Sequence, residues 1–197
     1  MRTPWPLLLL TLPLRADLPA HLTAHLGEAA CVHLDFTQTR TLAALSRPLK
    51  AGGSLVLARD RGLIWILKRP VAITYVMTPR GLLVLDAEGG RERKTAQDAP
   101  MVAQLGRVFQ AVIQGDWQAL DAWFTASGSG SPERWTVELM PRPQAAAFVR
   151  RIRLDGGRCI DRVRLEEPGG DRMELQFRNQ RLDLPLSADE AALLDQD

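Results

Sequence analysis

Few side chains in this chain have the types and spacings that chemistry uses. His21 and His25 stand four apart, a spacing that puts both imidazoles on one side of a helix and within reach of one metal ion. No Glu-His context surrounds them and no further Cys or His follows at ligand spacing, so they read as surface histidines. Glu166 and Glu167 are adjacent. Neighbours on a strand point to opposite faces, so these carboxylates cannot work as an acid/base pair. Cys31 and Cys159 are the two cysteines. In an oxidising compartment they could pair, closing a long loop and stabilising the fold by ~2–4 kcal/mol. Equally, they could stay as two free, buried, inert thiols, and spacing alone leaves both open. No nucleophile elbow, phosphate loop or zinc spacing occurs, so neither an enzyme nor a metal or other cofactor is expected.

The elements around these residues follow from periodicity. A helix is expected over 18–30, capped by Asp17, with Leu18, Leu22, Leu26 and Ala29 on one stripe. The period then becomes two. Val32, Leu34 and Phe36 alternate with His33, Asp35 and Thr37, and strands are expected again over 54–59, 63–68, 73–78 and 82–86. Short turns such as Gly52-Gly53, Asp60-Arg61-Gly62 and Pro79-Arg80-Gly81 separate them, which implies an antiparallel meander. The middle is helical. Met101, Leu105, Val108, Phe109, Val112 and Ile113 repeat at helical spacing. Asp116 can cap a further helix carrying Trp117, Leu120, Trp123 and Phe124. A flexible loop over 125–132 follows, then strands over 135–140, 152–154, 159–167 and 173–178, with a helical turn within 144–151. No element is assigned beyond Arg178.

The N-terminus has the layout of a secretory signal peptide. Arg2 is a minimal basic start, Leu7–Leu10, Leu12 and Leu14 form an apolar run, and Ala16 is a small residue at a cleavage point. The run is far short of the ~20 residues of a spanning helix. The expected division is a leader over 1–16 and one domain over 17–197. Loss of Arg2 and Arg15 would leave the remaining Lys and Arg equal in number to the 23 acids. The basic spots at 91–94 and 150–153 lack interleaved aromatics and read as solvated faces, so no nucleic-acid partner is expected.

Several strands are apolar on both faces, notably around Leu55–Ala58 and Leu63–Leu67. A sheet wet on one side shows a clean polar face. Here one face must pack against something while the other lines an interior. From pattern alone, a filled two-layer sandwich is the simpler solution.

Phe36-Thr37-Gln38, Gly53-Ser54-Leu55, Arg59 and Trp65 stand at a joint spacing by which the stretch from Phe36 to Asp86 resembles the bacterial outer-membrane lipoprotein carrier family, of LolA type. Phe36-Thr37-Gln38 is similar to the family's opening strand, and Gly53-Ser54-Leu55 to the start of its second. Arg59 falls six residues past that glycine, on the family's conspicuous arginine; Trp65, Pro70 and Gly81-Leu82-Leu83 continue the match without gaps. Later, Trp135-Thr136-Val137-Glu138-Leu139 and Pro141 resemble a family strand. The family's usual Arg-Pro pair is Arg59-Asp60 here, and its Asp-Gly turn is Thr78-Pro79; with these departures the chain looks more like the divergent relatives encoded beside lipid or polyene export systems than like the housekeeping carrier.

The resemblance implies a mainly β fold with some α: an open, incomplete antiparallel barrel with a helical lid over a hydrophobic cavity. It implies a monomeric periplasmic carrier without metal, nucleotide or covalent step. Its cargo would be an acylated lipoprotein or other lipid, received from an inner-membrane transporter or exporter and passed to an outer-membrane acceptor. Leu55, Leu57, Leu63, Trp65, Leu67, Tyr75 and Met77 are the candidate cavity residues. Arg59 shares the strand parity of Leu55 and Leu57, and a guanidinium facing a cavity needs acceptors. Its expected role is to bond carbonyls of the lid helices and hold the empty cavity shut; otherwise it snorkels into solvent beside Asp60. The alternative function is a periplasmic sensor or protein-interaction module of the same fold that transfers no lipid.

Overall fold

The computed structural model describes residues 28–94, 108, 110–111 and 116–195. The first half of the sheet is β1 (Cys31–Thr41), β2 (Leu49–Ala58), β3 (Gly62–Arg69), β4 (Ile73–Thr78), β5 (Gly81–Asp86) and β6 (Arg91–Lys94). A short helix, α1 (Trp117–Asp121), precedes β7 (Phe124–Ser131), β8 (Arg134–Pro141), β9 (Arg151–Gly156), β10 (Ile160–Glu166) and β11 (Arg172–Leu182). A second helix, α2 (Ala188–Asp195), follows. All strands belong to one sheet, in the order β6-β5-β4-β3-β2-β1-β11-β10-β9-β8-β7.

Every neighbouring pair is antiparallel, from Cys31 opposite Ala58 in β1–β2 to Val137 opposite Leu154 in β8–β9. Two meanders therefore run outward from the centre and are joined by β1 against β11, with Phe36 opposite Phe177. Because β6 and β7 do not pair, the sheet is an open barrel rather than a closed one or a two-layer sandwich.

Residue parity builds two cores. On the inner face, Leu55, Leu57, Leu63 and Trp65 join Phe36, Trp135, Val137, Leu154, Leu175 and Phe177 in one cluster. On the outer face of β2–β5, Val56, Ala58, Ile64, Val76 and Leu83 form a second cluster with Leu194 of α2. The two-sided apolar pattern of β2 and β3 is thereby explained: the inner face meets the main core and the outer face meets a helix. Gly53 is required by close packing, because a Cβ there would run into the Ile66 carbonyl of β3. The β2–β3 turn needs positive φ at Asp60 (63°) and Gly62 (142°), the latter with its missing Cβ against Met77.

Several expectations are corrected. Residues 125–132 are not a flexible loop. Thr125–Ser131 continue β7, paired along its length with β8 from Phe124 opposite Pro141 to Ser131 opposite Arg134. Phe124 accordingly starts this strand and does not end a helix. The basic stretch at Arg91–Lys94 is largely exposed, as expected of a solvated face, but it is also a strand, paired with β5, where none was assigned. Residues 28–30, placed at the end of the first expected helix, are not helical; the rest of that helix, His21 and His25 lie outside the described residues. The cysteines are both free thiols. Cys31 lies in β1 and Cys159 in the turn before β10, and β11 lies between those strands. Two strand spacings are about 10 Å, beyond the ~7 Å Cα separation a disulfide can span.

Candidate functional site

The inner face is the largest feature the sheet constructs. All seven residues expected there share it. Leu55, Leu57, Leu63 and Trp65 are buried in the inner cluster, while Leu67, Tyr75 and Met77 are partly buried against it. Trp65 packs on Phe36 of β1 with ring centroids 4.8 Å apart at 60°, the tilted arrangement aromatic pairs prefer.

The opposite wall was readable by the same parity, though not singled out. It comprises Trp135, Val137 and Leu139 of β8, Ile152 and Leu154 of β9, Val163 and Leu165 of β10, and Leu175 and Phe177 of β11. Trp135 is 1% exposed and donates its indole N–H to the Gly157 carbonyl at 2.7 Å, so its one polar atom is satisfied.

Helical residues cover this face. Ala111 and Leu120 are buried in the same cluster, and Val108, Trp117 and Trp123 pack against it. As expected, Asp116 caps α1, its carboxylate accepting the Ala119 N–H at 3.1 Å. The far end of α1 is tied to the segment between β8 and β9. Arg142 donates its Nε to the Asp121 carbonyl at 2.7 Å and its backbone N–H to the Trp123 carbonyl at 2.7 Å. Gln144 donates to the Ala122 carbonyl. These donors were missed by sequence reasoning; the signal was a polar pair, Arg142 and Gln144, flanking Pro143 just beyond a strand.

Arg59 does bond a backbone carbonyl, but not one of α1. Its Nη2 donates to Ala29 at 3.0 Å, and its backbone N–H donates to Ala30 at 2.9 Å. Ala29 itself packs against the inner cluster. The arginine therefore ties the β2–β3 turn to the segment leading into β1, at the edge of the inner face.

The cysteines are not part of this face. Cys31 points to the outer cluster, with its Sγ 3.7 Å from Nδ1 of His33. His33 is 6% exposed, and its Nε2 lies 3.2 Å from Oε2 of Glu190 on α2. Burial, reinforced by the Glu190 charge, pushes the Cys31 thiol up, and burial does the same to Cys159. Neither is therefore poised as a thiolate. A cavity of about 40 Å³ beside α2, lined by Val76, Thr78, Leu82, Leu83 and Leu193 among others, is far below the ~300 Å³ of a ligand pocket. Among the described residues no group of three His, Cys, Asp or Glu could hold a metal ion, and no helix is long and apolar enough to cross a membrane.

Residues 16–177 match the family model described as outer membrane lipoprotein carrier protein, LolA-like. The chain belongs to this family. No curated protein matches the LolA-like chain. Among solved structures it is similar to a LolA superfamily protein from Nitrosomonas europaea, with 11% identity over 84% of this chain and 95% of that one and a TM-score of 0.45. An outer membrane lipoprotein-sorting protein domain from Vibrio parahaemolyticus shares 8% identity over 87% of this chain and 94% of that one, with a TM-score of 0.46. The MucA/MucB complex of Pseudomonas aeruginosa gives 11% identity over 90% of this chain and 59% of that one, with a TM-score of 0.44.

Proposed function

We propose that this LolA-like chain is a periplasmic carrier. It holds acyl chains of a lipoprotein or related lipid against its inner face and moves them from the inner to the outer membrane. In this reading the leader over 1–16 is removed. The observation that carries the proposal is the cover of the inner face. A continuous apolar surface from β1–β3 to β8–β11 is roofed by α1 and the helical Val108 and Ala111, with α1 tied at its far end by Arg142 and Gln144, not by a second sheet.

Magnitudes favour such a roof as a reversible one. A hydrogen bond to a charged group contributes ~1.5–3 kcal/mol. Burying about four methylenes at ~0.8 kcal/mol each offsets one such bond. A lipid chain can thus displace the Arg59–Ala29 or Arg142–Asp121 bond, and the bond reforms when the chain leaves. Leu55, Leu57, Leu63, Trp65, Leu67, Tyr75 and Met77 would contact the chain, and Arg59 would latch the empty state.

The test is lipid extraction and mass spectrometry of protein purified from periplasm. Acyl lipid at stoichiometric amount is expected. Protein that carries no lipid and takes up no fluorescent fatty acid would overturn the carrier reading and leave a protein-interaction module of the same fold. In the same assay Arg59→Leu should speed uptake and slow the return to the closed state; unchanged kinetics of both uptake and release would remove Arg59 from the mechanism.

A further inference from the structure

One end of the sheet differs from the other in a way the carrier reading does not use. The β1–β2, β3–β4, β8–β9 and β10–β11 connections meet at the same end, because Thr41 pairs with Arg172 and Gly52 with Arg69. Most of the exposed large apolar side chains are there. Val71 in the β3–β4 turn is 59% exposed, Leu49 at the start of β2 is 52% and Phe148 before β9 is 50%. Leu45 and Met140 are nearly as open.

Free cations accompany these apolar groups. Arg47, Lys50, Lys68 and Arg69 are exposed and form no ion pair with a described residue. Of the acids beside them, Glu166 and Glu167 are paired, Asp171 and Asp86 hold only backbone N–H groups, and the exposed Glu88 forms no ion pair with a described residue. Glu167 pairs with Arg40 at 3.2 Å and Glu166 with Arg151 at 2.8 Å. Asp171 accepts the Ala43 N–H, and Asp86 accepts those of Glu88 and Gly90. At the opposite end Arg59 binds Ala29, Arg61 binds Asp195 and Arg80 binds the Leu194 carbonyl, while the exposed Arg134, Arg158, Arg178 and Arg181 are interspersed with the exposed acids Asp60 and Asp161.

We propose that this apolar, cationic rim docks on the headgroup surface of an anionic bilayer. Isolated apolar side chains on loop tips can enter the interfacial layer, while free Lys and Arg beside them meet lipid phosphates. Charge complementarity selects this occupant, since Arg47, Lys50, Lys68 and Arg69 stand unpaired among the apolar tips while the neighbouring Glu166 and Glu167 are paired with Arg151 and Arg40. The inference does not rest on cargo transport, because docking by lipid-free protein can be read alone.

The experiment is co-sedimentation of the purified chain with phosphatidylcholine vesicles, with and without phosphatidylglycerol. Binding is expected only with phosphatidylglycerol, and it should weaken as salt rises. The double variant Arg47→Glu with Lys50→Glu should weaken it about tenfold or more. Phe148→Glu should do the same through lost insertion, at about tenfold. Leu184→Glu, an exposed position at the opposite end, should bind as wild type. These sites are all on the surface, so thermal unfolding should be unchanged and loss of fold would not mimic loss of docking. Equal binding to both vesicle types, no binding to either, or rim variants indistinguishable from Leu184→Glu would overturn the proposal.

Discussion

The outer face of the sheet has two halves built from the same kind of strand in opposite ways. On β2–β5 it is apolar and covered: Val56, Ala58, Ile64, Val76 and Leu83 meet Leu186, Leu193 and Leu194 of the C-terminal segment. On β8–β11 it is a charged lattice open to water. Arg153 lies between Glu138 (3.7 Å) and Asp155 (3.2 Å), and Arg164 between Asp155 (3.1 Å) and Glu174 (3.2 Å). Both halves share one continuous inner core. A strand apolar on both faces therefore signals a second cover, while a strand with clean alternation signals water behind it. The cover is held deliberately. Ser187 and Glu190 form a reciprocal capping box at 2.8 and 3.2 Å, Glu190 reaches His33, and Arg61 and Arg80 take carbonyls of the helix at Ala191 and Leu194.

The largest expected difference between the halves is in packing energy. Leu194 is 2% exposed at the centre of the covered half. Leu194→Ala should cost ~2–4 kcal/mol in urea unfolding, as buried Leu→Ala changes do. A cost below about 1 kcal/mol would mean that α2 rests on the sheet without contributing to its stability.

A second effect sharpens the contrast through the two thiols. Cys31 is under α2 and Cys159 is in the β9–β10 turn of the uncovered half. If α2 opens locally, each loss of ~1.4 kcal/mol in its docking raises exposure of Cys31 tenfold. Alkylation of Cys31 should therefore accelerate at least about tenfold in Leu194→Ala while that of Cys159 stays the same. Parallel acceleration of both would show that the molecule opens as a whole.

Acid should also act on the covered half. Burial pulls the Glu190 carboxyl upward, but the Ser187 N–H, His33 and the Ser187 hydroxyl together outweigh it, and the group sits below its ordinary value. A carboxyl depressed on folding adds stability above its unfolded value near ~4.3, and that stability is lost as pH falls through the folded value. Wild type should thus lose stability below about pH 5 more steeply than Glu190→Gln. Identical acid slopes for the two would show that Glu190 is not held by these donors in solution.

Much of this arrangement was legible in advance. Ile73–Thr78 was read with its observed bounds; parity grouped Leu55 with Leu57 and Leu63 with Trp65, and the family resemblance chose those faces as the inner ones. What escaped were the edges and the outer cover. Arg-Glu-Arg-Lys in β6 has no apolar alternation, and Phe-Thr-Ala-Ser-Gly-Ser-Gly-Ser in β7 has little side chain to alternate. Both are edge strands, whose pairing comes from one neighbour and whose composition tends to discourage further pairing. The α2 helix did leave a signal, Leu186 followed by Ser187 and Glu190 at capping-box spacing. Its apolar residues are few and its first turn is acidic, which resembles a solvated tail. The Arg59 partner was foreseen as a backbone carbonyl, but its location before β1 depended on tertiary placement.

The smallest effect is expected in the uncovered half, and it decides whether the contrast is real. Arg164 touches two carboxylates, yet its side chain is 37% exposed and Glu174 is 34% exposed. Glu174 is held below its ordinary value chiefly by Gln176, which together with the smaller contributions of Arg164 and Arg162 outweighs the opposing effect of burial. Partly exposed pairs of this kind contribute ~0–1 kcal/mol, and salt screens them further. Arg164→Ala should therefore cost less than about 1 kcal/mol in low salt and less again in high salt, with folding cooperativity unchanged. The register explains why the lattice can be so weak: β9, β10 and β11 are already aligned by Val163 opposite Leu154 and Leu175, all of them buried on the inner side. A cost rivalling that of Leu194→Ala would mean that the charged half is held by its ion pairs and not by the core behind it.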